Sequence, residues 1–131
     1  MVNDDGTMMD AAQCRAFADE HGMLLISIAD LIRYRGGSER LIERGAVTPL
    51  PTENGDFTII GYRSLVDGTE HAALVMGDIG DGADILVRVH VECLAGDALH
   101  SQGCRCGDRL RDSLARIATE GRGVLLYLRP P

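Results

Sequence analysis

Not one lysine occurs in this 131-residue chain, and basic residues of any kind are in the minority. Thirteen arginines stand against twenty aspartates and glutamates, for a net charge of −7. A basic surface that would hold nucleic acid non-specifically is therefore excluded. Arginine forks still match phosphate oxygens, so a nucleotide ligand stays open, although a G/C-rich coding sequence explains the missing lysine more simply. Long apolar runs are also lacking. None approaches the roughly 20 residues that a membrane helix needs, so no membrane partner is expected. The acidic start Met1-Val-Asn-Asp-Asp-Gly6 has no signal-peptide pattern, which points to the cytoplasm. Thiols stay reduced there, a setting that favours metal binding over disulfides. Internal repeats and low-complexity segments are absent. The 45% hydrophobic and 25% charged content fits a globular chain long enough for one compact domain.

Against this ordinary background three of the four cysteines crowd together. Cys93, Cys104 and Cys106 are spaced C-x10-C-x-C. Thiolates are good zinc ligands, and three of them leave the fourth tetrahedral position open. An open position distinguishes a catalytic zinc from a structural one, because a water there can lose its proton near neutral pH. Spacing alone leaves two other readings standing. The three could be small buried residues, or Cys93 could form a disulfide with Cys104 or Cys106, which are themselves too close for an easy bridge. The surroundings favour metal. Arg88, His90, Glu92, Asp97, His100, Arg105, Asp108 and Arg109 cluster around the cysteines, and a purely structural thiol pocket has no need of so many charges. Cys14 lies on an apolar helix face far away in sequence and reads as core. Asp97 reads as a turn or cap residue.

The chain divides into unlike halves, 1–44 and 57–131, around a stretch 45–56 rich in proline and turn residues. Asp10 can cap a helix to about Glu20, with Ala11, Cys14, Phe17 and Ala18 on one face and Gly22 as its stop. Met23 to Ile28 is a continuous apolar run, read as a buried strand. Ser27 and Asp30 have near capping-box spacing for a short helix through Tyr34, ended by Gly36-Gly37. Ser38 to Arg44 reads as another short helix, and 45–56 as a linker closing in a turn. In the second half, Phe57–Arg63 and His71–Met76 read as strands joined through an Asp67-Gly68 turn. Asp84–Glu92 alternates, with Ile85, Val87, Val89 and Val91 on one face and Arg88, His90 and Glu92 on the other. Residues 107–121 form an amphipathic helix that points Leu110, Leu114, Ile117 and Ala118 at the core. Val124–Leu128 is a last buried strand. The expected fold class is α+β: a mixed or antiparallel sheet with amphipathic helices, preceded by a small helical segment.

Pro51-Thr-Glu-Asn-Gly-Asp-Phe57, His71-Ala-Ala-Leu-Val-Met-Gly-Asp78, Arg88-Val-His-Val-Glu-Cys-Leu-Ala-Gly-Asp97, Cys104-Arg-Cys-Gly107 and Glu120-Gly-Arg-Gly-Val-Leu-Leu-Tyr127 resemble GTP cyclohydrolase II, the zinc enzyme that opens the imidazole ring of GTP in riboflavin biosynthesis. The resemblance implies zinc on Cys93, Cys104 and Cys106, and GTP contacts from Arg88, Val89, His90, Val91 and Glu92. It implies attack of water on C8 of guanine, with loss of formate and pyrophosphate. Arginine and Mg2+ would neutralise the triphosphate, and the working form would be a homodimer. The first half, through Asn3-Asp-Asp-Gly-Thr-Met8, Phe17-Ala18, His21-Gly-Met23 and Ile28-Ala-Asp-Leu-Ile-Arg-Tyr-Arg35, resembles the C-terminal end of 3,4-dihydroxy-2-butanone 4-phosphate synthase. In many bacteria that enzyme is fused ahead of the cyclohydrolase.

Departures from the family pattern shape the expectation. The family's catalytic tyrosine, aspartate and arginine would fall beyond residue 131, so no catalytic residue is assigned. The chain is expected to be truncated at both ends and impaired, or to survive as a noncatalytic zinc- and nucleotide-binding remnant. Val91 stands for a usual serine, Arg105 for an aspartate and Arg109 for a glutamine, the last expected to weaken a GTP contact. Arg105 puts a positive charge between two thiols, a setting that lowers thiol pKa values. Glu120-Gly-Arg122 is read as a structural helix end.

Overall fold

The computed structural model describes residues 1–130. They form two compact units, Met1–Arg40 and a second that begins at Leu41.

In the first unit, helix α1 (Ala11–Glu20) starts where expected. The Asp10 side chain accepts the Gln13 N–H and the Gln13 side chain accepts the Asp10 N–H, a reciprocal cap that satisfies two otherwise orphaned donors. Gly22, at φ +62°, follows its end. The predicted strand Met23–Ile28 is not formed. Residues 23–27 are irregular and Leu24 is 96% exposed. A strand needs a neighbour to receive its backbone hydrogen bonds, and none lies beside these residues within the unit. Instead Ser27 and Asp30 form the second reciprocal cap, and helix α2 runs Ile28–Ser38, past Gly36-Gly37.

The second unit holds a five-stranded sheet in the order β1-β2-β3-β5-β4. The expected helix at Ser38–Arg44 and linker at 45–56 are overturned. Strand β1 occupies Ile42–Thr52 and turns through Glu53-Asn54 into β2 (Gly55–Ser64). Pro49 and Pro51 suggested a break, yet β1 lies at the sheet edge, where a missing N–H need leave no ladder bond unmade. A register shift between Arg44 and Val47 accommodates Gly45-Ala46. Strands β2 and β3 (Glu70–Met76) are antiparallel, as are β3 and β5 (Gly123–Leu128). Strand β4 (Val87–Val91) runs parallel to β5 at the other edge, and the connection between them contains α3 (Leu94–Asp97) and α4 (Cys106–Glu120). The sheet is therefore mixed and the fold α+β.

Helix α4 lays Leu110, Leu114 and Ile117 on one sheet face, where Phe57, Leu74 and Leu125 complete the core. Gly121, at φ +76°, closes α4 by donating its N–H to the Ile117 and Ala118 carbonyls, so Glu120-Gly-Arg122 is a helix end. The parallel register sets Arg88 beside Leu125 and His90 beside Tyr127 on that same face. Val87, Val89 and Val91 alternate to the opposite face and are 50–58% exposed.

Candidate metal centre

Two short segments carry the three thiols. Cys93 immediately precedes α3, after β4 and Glu92; Cys106 is the first residue of α4 and Cys104 lies two residues before it. Their sulfur atoms all lie within 4.8 Å of one another, and the Cys93 and Cys104 sulfurs are 3.8 Å apart. A Zn–S bond of about 2.3 Å at the tetrahedral angle places two sulfurs about 3.8 Å apart. A disulfide would need about 2.05 Å, and all four cysteines are free thiols. Soft donors at this spacing fit zinc, and Cys14 stands outside the group.

Close backbone approach brings the segments together. A Cβ on Gly96 would meet the Cys104 sulfur at 2.8 Å and the Cys106 Cβ at 2.9 Å. A Cβ on Gly107 would collide with the Gly96 carbonyl oxygen. Only glycine at both positions lets α3 and the first turn of α4 touch, and this touching is what gathers the thiols.

As free thiols Cys104 and Cys106 differ. The Cys106 backbone N–H, then the Cys106 and Cys93 side chains, hold the Cys104 thiol below its ordinary value. Cys106 is pushed up to about 11, first because its thiol bonds to Cys93, then by its bond to Cys104 and by burial. The Arg105 charge, expected to lower these values, is not among the causes.

Behind Cys93 lies a buried polar cluster. His90 and Asp97 side chains are each 6% exposed. The His90 Nε2 is 3.0 Å from both Asp97 carboxylate oxygens, so that nitrogen carries the proton. Asp97 Oδ2 also accepts the Cys93 backbone N–H and the Tyr127 hydroxyl, each at 2.9 Å. Burial pushes the Asp97 carboxyl up, but the bonds from Cys93, His90 and Tyr127 together outweigh it and hold the acid below its ordinary value. Burial, then the Asp97 bond, drives the Tyr127 phenol far above its usual range, so it stays a donor.

The remaining predicted residues scatter. Arg88 is exposed and without an ion pair among the described residues, whereas Glu92 accepts from the Arg129 Nε at 3.3 Å. Val89 and Val91 point to the opposite sheet face from His90. His100, at φ +52°, lies 3.4 Å from an Arg111 nitrogen and outside the thiol group. A cavity of about 230 Å³ opens beside the thiols, with Gly96, His100, Ser101, Cys104, Arg105 and Arg111 among its lining residues. Tyr127 and the paired glycines were not singled out from the sequence. A lone phenol in the apolar run Gly123–Leu128 was the available signal, since a buried hydroxyl needs a partner.

Comparison with known proteins decides the family. The profile of GTP cyclohydrolase II matches residues 43–131, more than half the chain and all three thiols. The chain belongs to the GTP cyclohydrolase II family. Ahead of that region, residues 1–34 match 3,4-dihydroxy-2-butanone 4-phosphate synthase. The riboflavin biosynthesis protein RibBA of Salinispora arenicola is 54% identical over 129 residues, covering 98% of this chain and 31% of the relative. The bifunctional riboflavin biosynthesis protein RIBA 1, chloroplastic, of Arabidopsis thaliana is 52% identical, covering 98% of this chain and 24% of the relative. The two family matches follow one another along this chain, and both of these relatives are riboflavin biosynthesis proteins. Among solved structures, the two-domain 3,4-dihydroxy-2-butanone 4-phosphate synthase RibBX from A. baumannii aligns with a TM-score of 0.66 at 31% identity, over 98% of this chain and 34% of that one. The chain thus spans about a third or less of the length of these relatives.

Proposed function

We propose that this chain carries the metal centre and part of the substrate site of a GTP cyclohydrolase II acting in riboflavin biosynthesis. The observation that carries the reading is the triad of thiols within 4.8 Å in the region matching that family. Cys93, Cys104 and Cys106 hold zinc, and bound there zinc supplies the Lewis acidity that makes water nucleophilic near neutral pH. Within the segment Arg88–Glu92, the side chains that contact GTP are those of Arg88 and Glu92, while Val89 and Val91 face the other side of the sheet. The exposed Arg88 guanidinium is suited to phosphate, with Mg2+ sharing its charge. Glu92, half-buried just after β4, offers its carboxylate to a base N–H in exchange for its contact with Arg129. His90 contributes from beneath, its Nε2 committed to Asp97.

The reading is tested on the purified, reduced chain by elemental analysis, then by GTP binding and formate release. One zinc per chain, with GTP binding and only weak formate release, is the expected result. Zinc and nucleotide binding without formate would assign this polypeptide the noncatalytic role. A chain that takes up no zinc would overturn the metal centre.

A further inference from the structure

Cys93 differs from its two partners in how it is held. Cys106 opens a 15-residue helix and Cys104 lies two residues ahead of it, whereas Cys93 lies between an edge strand and a single turn of four residues. Such a turn has little stability of its own. The Cys93 side chain makes no cap bond, so its sulfur is left for metal.

Residue 97 fixes the position instead. The Asp97 N–H donates to the Cys93 carbonyl at 2.7 Å, and the Asp97 carboxylate accepts the Cys93 N–H at 2.9 Å. Both backbone groups of Cys93 thus end on one residue. That carboxylate is tied to the sheet, through His90 on β4 and Tyr127 on β5. Every donor around it is buried or half-buried, and no buried side-chain nitrogen or oxygen among the described residues lacks a partner.

We propose that Asp97 is a positioning residue for the metal: it registers the Cys93 thiolate against the sheet and thereby preorganises the three-sulfur site. The proposal rests on the zinc reading of the thiols. It gives Asp97 no contact with the metal, since its two oxygens are already engaged by three donors. Outer-shell partners of this kind typically contribute about 10- to 100-fold to metal affinity.

The test measures Zn2+ affinity by chelator competition, and the visible and thiolate charge-transfer spectrum of the Co2+ form, in the full chain and three variants. Asp97→Asn keeps the shape but removes acceptor capacity; Asp97→Glu keeps the charge but displaces it. Both are expected to weaken Zn2+ binding about 10- to 100-fold and to alter the Co2+ spectrum. Recovery of parental affinity by Asp97→Glu would show that charge alone matters and would overturn positioning. Tyr127→Phe removes one donor and leaves the Cys93 bond, so about three- to tenfold weaker binding is expected. It carries the test if the Asp97 variants fail to fold, and parental affinity and spectrum in Tyr127→Phe would then overturn the proposal. A parental chain that binds Zn2+ alongside unchanged Asp97 variants overturns the positioning role alone. A parental chain that binds none overturns the zinc reading, and this proposal with it.

Discussion

Gly96 and Gly107 lie backbone against backbone, so close that a Cβ on Gly107 would strike the Gly96 carbonyl oxygen. Neither adopts a left-handed conformation, so the requirement for glycine is steric. Eleven positions apart in sequence, they set the distance between the segment bearing Cys93 and the segment bearing Cys104 and Cys106.

Gly96→Ala therefore acts directly on the thiols. Its methyl would need the space of the Cys104 sulfur at 2.8 Å and of the Cys106 Cβ at 2.9 Å. The variant is expected to lose at least about tenfold in zinc affinity, with an overpacking cost of about 1–3 kcal/mol in stability. Chelator competition and chemical denaturation measure the two separately. Parental zinc affinity in a folded Gly96→Ala would show that the gap is not what gathers the ligands.

Cys104→Ser should abolish stoichiometric zinc, because a hydroxyl is a poor substitute for a thiolate in a soft three-sulfur set. Cys14→Ser, outside the thiol group, should keep the metal in full. Elemental analysis of the two proteins side by side checks the assignment, and retained zinc in Cys104→Ser would sink it.

Ile117 is fully buried against the sheet, with Phe57 and Leu125. Ile117→Ala should destabilise the second unit by about 2–5 kcal/mol through lost burial and the cavity left behind. A shift of the denaturation midpoint is the readout. A shift corresponding to less than about 1 kcal/mol would mean that α4 does not seal this face.

Acid should loosen α2 through its cap. The Ser27 side chain, then the Ser27 backbone N–H, hold the Asp30 carboxyl below its ordinary 3.8. A depressed folded-state pKa contributes stability that is complete above the unfolded value and is lost as pH falls through the lower folded value. Helix α2 should therefore be unaffected down to about pH 4 and fray below it. The Asp30→Asn variant should lack that step. Residue-resolved NMR of 28–38 across pH 2–6 would reveal it, and an identical acid profile in the variant would refute the cap's role.

Local chemistry was readable from the chain. Asp10 and Ser27 start helices because their side-chain oxygens reach backbone N–H groups three residues on, an interaction contained within one turn. The spacing of Leu110, Leu114 and Ile117 declared the buried stripe of α4 in the same way. Met23–Ile28 misled because an apolar run records hydrophobicity without recording a partner: strand propensity there meets no strand to bond. The reverse held for Ile42–Thr52, where two prolines and a glycine spoke against a strand that pairing with β2 nevertheless forms.

The sequence by itself determined three thiols at C-x10-C-x-C, the capped helices, the alternation of β4 and an acidic surface without lysine. These are properties of residue type and short spacing, and no distant part of the chain can alter them. Tertiary structure alone decided that β4 lies parallel to β5, and that Tyr127 reaches Asp97 from thirty residues away. It alone decided that two glycines close the gap between Cys93 and its partners. Each of these depends on burial and backbone pairing between remote segments, whose free energy exists only once the sheet and α4 are assembled.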